Sequence, residues 1–542
     1  MSRNRFAWVR IASATLLAAI VLVAAPAQAA APATAAGYRV AGRVVDAVTG
    51  DPVRRATVSL LSEEDGQLVA AVVTDAEGHF VFNGIPAGKY PFTAAKRGYR
   101  TAYYDEHDEF NSAMVTGEGQ ETGNIVFQLA PSALVRGVVT GDGGDPVEGA
   151  SVMLFKRASS DAPGGHVQQV GNTQTDDTGA YEFPNLSPGD YMLAVKAEPW
   201  YAQHGSRISG QTREPSPLDV AFPVTFFDST TDEASATPIT LTAGSREQAD
   251  INLHAVPALR FKVDALSSPH KEPARVTLRQ KVFGMTVNSE TMVMPPSASG
   301  SNELTGVAPG NYDVEIGDPP RVMSLNATSN LDLNANAAVP TLSVAGTLSM
   351  AGGGPVPDMV ALTLVSVGDG LEPQQEQALK GHFQFDSVPP GTWMLQAGAA
   401  GGTLSVVATS AAGVVSPGGQ IVLRDRPLSI GVTFSLAQTR IQGFARKDGK
   451  AASGVMVVLV PREAGAYLAL MRRDQSDSDG SFSLRDVAPG QYTVVAIDDG
   501  WKLDWQRREV IARYLPGGQP VTIREQSGPV VSLAKPVTAA AR

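Results

Sequence analysis

The sequence predicts an all-β chain of tandem small β-sandwiches, and three observations predict it. A glycine-and-aromatic phrase returns five times, and each return is flanked by runs that alternate with period two. Gly (54) and Pro (37) are abundant while aromatics stay at 6%, which suits many short strands joined by turns. At 542 residues the chain exceeds one ordinary core, so several domains are expected.

The phrase reads "GHFVFNGIPAGKY" (78–90), "GAYEFPNLSPGDY" (179–191), "GHFQFDSVPPGTW" (381–393) and "GSFSLRDVAPGQY" (480–492), with a weaker copy "GSNELTGVAPGNY" (300–312). Its two glycines stand ten apart in every copy: Gly78/Gly88, Gly179/Gly189, Gly300/Gly310, Gly381/Gly391 and Gly480/Gly490. Tyr90, Tyr191, Tyr312, Trp393 and Tyr492 follow the second glycine by two. Alternation places Phe80 with Phe82, Tyr181 with Phe183, Phe383 with Phe385, and Phe482 with Leu484 on one buried face. The Pro-Gly pair is expected to reverse the chain, Pro fixing φ and the second Gly taking a positive φ. Upstream lies a matched strand: "ATVSL" (56–60), "ASVML" (150–154), "ARVTL" (274–278), "VALTL" (360–364) and "VMVVL" (455–459). An opening strand and turn precede it, as in "VAGRVVDAVTGDPV" (40–53), and a closing strand ends the unit, as in "IVFQLAP" (125–131). Some seven short strands in about 80–125 residues fit a small sandwich. The expected organisation is a signal peptide at 1–29 and sandwiches at 38–131, 132–257, 258–340 (degenerate), 341–437 and 438–536.

Residues 1–29 have the pattern of an export signal. Arg3, Arg5 and Arg10 precede the apolar run "IASATLLAAIVLVAA", and "AQA" (27–29) offers small residues for cleavage. Loss of that segment removes three Arg and no acid, taking the net charge from −11 to −14. An acidic exported chain without Lys/Arg clusters is a poor nucleic-acid binder. The absence of cysteine excludes disulfides, thiol catalysis and thiolate zinc sites. No second apolar run reaches spanning length, so no membrane span is expected in the mature chain.

The stretch "GRVVDAVTGDPVRRATVSLL…TDAEGHFVFNGIPAGKYPFTAAKRGY" (42–99) resembles carboxypeptidase regulatory-like domains. That resemblance implies a transthyretin-like, Ig-like fold of the carbohydrate-binding-like group, related in shape to collagen-adhesin B-type repeats. The first, second and fifth units match well, the fourth more loosely, and the third carries Asn302 where a strand aromatic is expected. The chain holds neither a His-x-x-Glu nor a His-Glu-x-x-His zinc motif, and its opening strand "YRVAGRVVD" lacks the Lys that adhesin relatives cross-link to Asn. Such motifs specify a fold and say little about function.

"RRDQSDSDGSFSLRD" (472–486) imitates a calcium loop. With Gly480 as sixth position, Asp477 and Asp479 fit the third and fifth, but Gln475 stands first and Asp486 replaces the twelfth-position Glu. The aligned "TDAEG" (74–78), "TDDTG" (175–179) and "QALKG" (377–381) share only the glycine, so a hairpin turn is the simpler reading. The patch "YYDEHDEF" (103–110) could bind a cation; an aromatic pair capping a sandwich edge explains it and "FFDSTTDE" (226–233) more simply. The seven histidines are scattered, and no Gly-x-Ser-x-Gly elbow or phosphate loop occurs, so no catalytic residue, metal site or cofactor is expected. Trp200 with Tyr201 ("EPWYAQH") and Trp501 with Trp505 ("GWKLDW") lie outside the phrase. These four are the candidate ligand-binding residues: an aromatic plane stacks on a sugar ring, although such residues equally seal a loop or domain junction. The expected function is a non-enzymatic exported protein presenting surfaces to a polysaccharide or envelope protein, in the periplasm, at the outer surface or outside the cell. A passive spacer, or an accessory array for a separate hydrolase, are the other readings.

Overall fold

The computed structural model describes residues 37–107, 109–157, 167–204, 208–209, 216–264, 274–294, 301–367, 371–399, 402–436, 439–463, 470–524 and 527–542. The segment 1–29, His166 and His270 lie outside them. The fold is all-β, and one plan repeats in five successive units.

In each unit an opening strand pairs antiparallel with the strand of the recurring phrase and parallel with a closing strand. Tyr38–Asp46 takes His79–Ile85 and Ile125–Leu129, and Ala133–Thr140 takes Ala180–Leu186 and Arg246–Gln248. Leu259–Asp264 takes Ser301–Val307 and Leu331–Asn334. Leu342–Met350 takes His382–Val388 and Leu428–Leu436. Thr439–Lys447 takes Ser481–Val487 and Val530–Ser532. The facing sheet centres on the upstream strand, as Met456–Pro461 lies between Arg472–Gln475 and Gly490–Asp498. In the fourth unit Gly402–Ala411 pairs with strands of both sheets, Gly391–Ala399 and Leu428–Leu436, and so joins them.

Each unit's core fills the space between its sheets. The alternating pairs are buried there: Phe80 and Phe82 with Phe92 and Phe127 in the first unit, Phe482 and Leu484 with Tyr492 in the fifth. The aromatic after the second glycine has a second duty. Tyr90, Tyr191, Tyr312 and Tyr492 donate their hydroxyls, and Trp393 its indole N–H, to the carbonyl four residues earlier (Pro86, Ser187, Ala308, Ala488 and Pro389) at 2.7–3.1 Å. One side chain thereby fills the core and satisfies a turn carbonyl that burial would otherwise orphan.

A positive φ falls on both glycines of the phrase, on the first in four copies and on the second, as expected, in three. Gly78, Gly179, Gly381 and Gly480 have φ of 77°, 75°, 78° and 80°. At the second, Gly189, Gly310 and Gly391 have φ of 144°, 155° and 157°, whereas Gly88 and Gly490 take no positive φ. That second position also requires the missing side chain: a Cβ at Gly490 would stand 3.0 Å from the Tyr492 hydroxyl, which folds back over it.

The degenerate third unit has a packing explanation. Opposite the first buried aromatic the opening strand places a glycine, in Gly42↔Phe80, Gly137↔Tyr181, Gly346↔Phe383 and Gly443↔Phe482. A Cβ at Gly443 would lie 2.6 Å from the Phe482 ring. The third unit pairs Val263 with Asn302 instead, both buried. A β-branched side chain fills the volume that the lost ring vacates.

Candidate functional site

The imitation calcium loop is a hairpin turn like those of the first two units. The Asp three before the glycine donates its backbone N–H across the turn: Asp75 to His79 O, Asp176 to Ala180 O and Asp477 to Ser481 O, at 2.7–3.1 Å. The side chains differ. Asp75 and Asp176 accept from amides of their own turns, His79 N at 2.7 Å and Ala180 N at 2.9 Å. In the fifth unit Asp479 takes over that work by accepting from Ser481 N at 2.9 Å. Asp477 is released to reach the first unit, where it accepts from Ala113 N at 2.9 Å and Lys89 Nζ at 2.6 Å.

The two acid-rich patches of the sequence meet at this point. Gln475 donates to Ser112 Oγ (2.9 Å) and faces His107 Nδ1 (3.1 Å), while Ser112 donates to Ser476 O (2.9 Å). Ser478 N donates to Ala113 O at 3.1 Å and Val115 N to Ser478 Oγ at 2.8 Å, a strand-like exchange between chain segments 363 residues apart. Ser112, Gln475 and Ser476 are fully buried, so this is a satisfied polar network rather than a surface brush. Beside it Arg473 pairs with Glu109 at 3.1 Å, and its guanidinium lies over Phe110, Trp501 and Trp505 at 4.8, 5.2 and 4.9 Å. Arg485 and Glu63 close the rim at 2.9 Å.

Burial pushes the Asp477 carboxyl up despite Lys89, whereas hydrogen bonds from Thr178 and from turn amides hold the exposed Asp176 below the usual carboxylate range. Asp474, behind the junction, is raised to about 6 by burial, although the Ser483 and Gln475 amides oppose the shift. The Lys89 ammonium occupies the place a cation would need at Asp477. Among the described residues no group of three or more His, Asp or Glu is arranged to hold a metal ion.

The four aromatic candidates fall in two environments. Trp501 stacks on His107 at 4.9 Å and 8° and donates its indole N–H to Gly454 O at 2.9 Å; with Trp505 it packs along the inner edge of the fifth unit. Trp200 is 90% exposed and meets the half-buried Tyr201 edge-on at 5.7 Å. In "YYDEHDEF" Tyr104 packs on Phe92 and Phe127, as an edge cap should, but Asp105, His107, Glu109 and Phe110 meet the fifth unit. The phrase comparison missed this junction. The available signal was the pair of serines in "DSDGS", Ser478 and Ser481, where the first two units have Ala76 and His79, and Asp177 and Ala180.

Residues 39–129 and 134–223 each match the carboxypeptidase regulatory-like domain family, and residues 440–514 match the second β-sandwich domain of NOMO1-like BOS complex subunits. These are regulatory or structural β-sandwich domains. No curated protein matches this sequence. Among solved structures, a streptococcal ancillary pilin is 13% identical, covers 55% of this chain and 98% of its own, and has a TM-score of 0.21. A minor pilin of Streptococcus agalactiae is 16% identical over 41% of this chain and 97% of its own, at a TM-score of 0.20. Two B repeat units of the collagen-binding protein of Staphylococcus aureus are 10% identical over 74% and 99%, at 0.13. Scores this low carry no argument about what the chain does. Among the described residues no helix is long and apolar enough to cross a membrane.

Proposed function

We propose that this chain, which carries two carboxypeptidase regulatory-like domains in tandem and a further NOMO1-like β-sandwich, is an exported, non-enzymatic protein that presents sandwich surfaces to a glycan at the cell envelope. The export signal at 1–29 supports the location. The observation that carries the binding role is Trp200, a large indole left 90% exposed on a loop rather than packed away. Burial would favour such a ring by about 1.5–3 kcal/mol, and here its plane is left free to stack on a sugar. Trp501 and Trp505 serve this reading less well, because His107 and Arg473 already cover their faces.

The test is a pull-down of the mature chain on insoluble polysaccharides and isolated cell walls, with Trp200→Ala beside it. Retention that falls in the variant supports the reading; no retention on any matrix refutes it. A structural role is the second reading, favoured by the docking of the first unit on the fifth.

A further inference from the structure

We infer that the cleft between the second and third units is a binding site for a neutral saccharide, with Trp200 on the loop that builds one of its walls. This rests on the glycan-binding reading and adds to it the site, the ligand class and the residues. The cleft has a volume of about 580 Å³, within the ~300–1,000 Å³ usual for small-ligand sites. Phe222 and Val307 contribute apolar wall, and Glu198, His204, Gln280, Asn288 and Glu290 line it with polar groups.

The loop "EPWYAQH" builds one wall. Ala202 N donates to Pro199 O at 2.9 Å and Gln203 N to Leu218 O at 2.8 Å, fixing a turn that carries Glu198 and His204 to the cleft and leaves Trp200 in solvent. His204 is held at both ring nitrogens, Nδ1 by Asp219 at 2.9 Å and Nε2 by Glu198 at 3.2 Å. The other Asp219 oxygen accepts from Arg260 of the third unit at 2.8 Å, so one buried carboxylate ties the two walls together. Burial alone would raise the Asp219 carboxyl; His204 and Arg260 hold it below the usual range instead.

Gln280 supplies the second pointer. It is 3% exposed and lines the cleft, yet its side-chain amide has no hydrogen-bond partner among the described residues. The amide reaches the cleft, where a ligand hydroxyl, which both donates and accepts, would satisfy either end. A peptide main chain fits less well. Ser151 and Gln280 stand on strands whose two edges are already taken, Ser151–Arg157 between Val167–Gln174 and Gly189–Lys196, and Ala274–Val282 between Met285–Met294 and Gly310–Ile316. Recognition must therefore run through side chains. Lys196 lines the cleft with Glu198 and Glu290, so its charges are mixed and carry no excess of cations that would favour a phosphate or an acidic sugar. Carboxylate and amide groups in the cleft, with an exposed indole on the same loop as Glu198, suit neutral hydroxyls and the apolar face of a pyranose ring.

The experiment titrates the mature chain with cellotriose, maltotriose and N,N′,N″-triacetylchitotriose, read by calorimetry and tryptophan fluorescence. At least one trisaccharide is expected to bind. Trp200→Ala and Gln280→Leu should each weaken it about tenfold, while Trp200→Phe keeps the heat of binding and loses most of the fluorescence change. Asn288→Ala, at an exposed position, is a second cleft variant that does not put folding at risk. Unchanged affinity in Trp200→Ala and Asn288→Ala overturns the inference, as does failure of all three sugars to bind. If polysaccharide retention persists in either case, the glycan-binding reading survives on another surface; if it is absent too, both fall.

Discussion

Replacing Lys89 with Met removes one charge from the junction of the first and fifth units and keeps most of the stem. The Lys89 ammonium donates to Asp477 at 2.6 Å and Ser481 Oγ at 2.7 Å, with side-chain exposures of 29% for Lys89 and 14% for Asp477. An exposed ion pair contributes about 0–1 kcal/mol, and breaking a buried one costs about 3–5 kcal/mol because the surviving charge is stranded. This pair lies between those limits, so Lys89→Met should weaken docking by about 1–3 kcal/mol, or roughly 5- to 150-fold in the closing equilibrium. The amides of Ala113, Val115 and Ser478 are bonded across the junction and report it directly. Native-state hydrogen exchange at fixed pH should accelerate at those amides by that factor. Exchange at Thr74, whose N–H is bonded to Ala56 O inside the first unit, should not change. Equal protection at all of them in both proteins would refute the reasoning.

Three further expectations follow from the same contacts. The Asp474 carboxyl is raised to about 6 in the folded chain, so its favourable contribution is present below its unfolded value near 4 and is lost as pH rises through 6. Asp474→Asn should therefore stabilise the fifth unit at pH 7.5, by about 1–3 kcal/mol, with the advantage gone by pH 4; urea midpoints at both pH values measure it. Tyr492→Phe leaves the Ala488 carbonyl without its hydroxyl donor and should cost about 1–2 kcal/mol in the same assay, with the core volume kept. Asn302→Phe forces a ring against Val263 and should cost about 1–3 kcal/mol; adding Val263→Gly, which restores the pairing of the other units, should recover part of that loss in thermal melts.

Short-range regularity made the sandwiches legible. Period-two alternation around Phe80/Phe82 or Phe482/Leu484 is a local signal, and five copies of it exposed the turn between strands. What the aromatic after Pro-Gly does with its polar tip was hidden, because a side-chain bond to a carbonyl four residues back leaves no periodicity of its own. The two glycine roles were only partly legible for a related reason. Both positions prefer Gly, the first for its φ and the second for the absent Cβ and, in three copies, for its φ as well, and composition cannot tell those needs apart. Asn302 read as decay until its strand partner Val263 was seen to have changed with it. The junction was the least legible feature, since Asp477 and Ala113 stand 364 residues apart and ordinary turn chemistry also explains each half. Trp200 and Trp501 looked alike in sequence; only the fold separates a solvated indole from one stacked on His107.

The first unit docks on the fifth, so the chain closes on itself, and its lack of cysteine permits a direct test of that closure. Ser478 N and Ala113 O share a 3.1 Å hydrogen bond, so the two residues are direct neighbours across the junction. With Ala113→Cys and Ser478→Cys introduced together, mild oxidation of the dilute mature chain should give a monomer with an internal disulfide and a reduction-sensitive shift on a denaturing gel. Free thiols after oxidation, or cross-linked dimers alone, would contradict the closed arrangement.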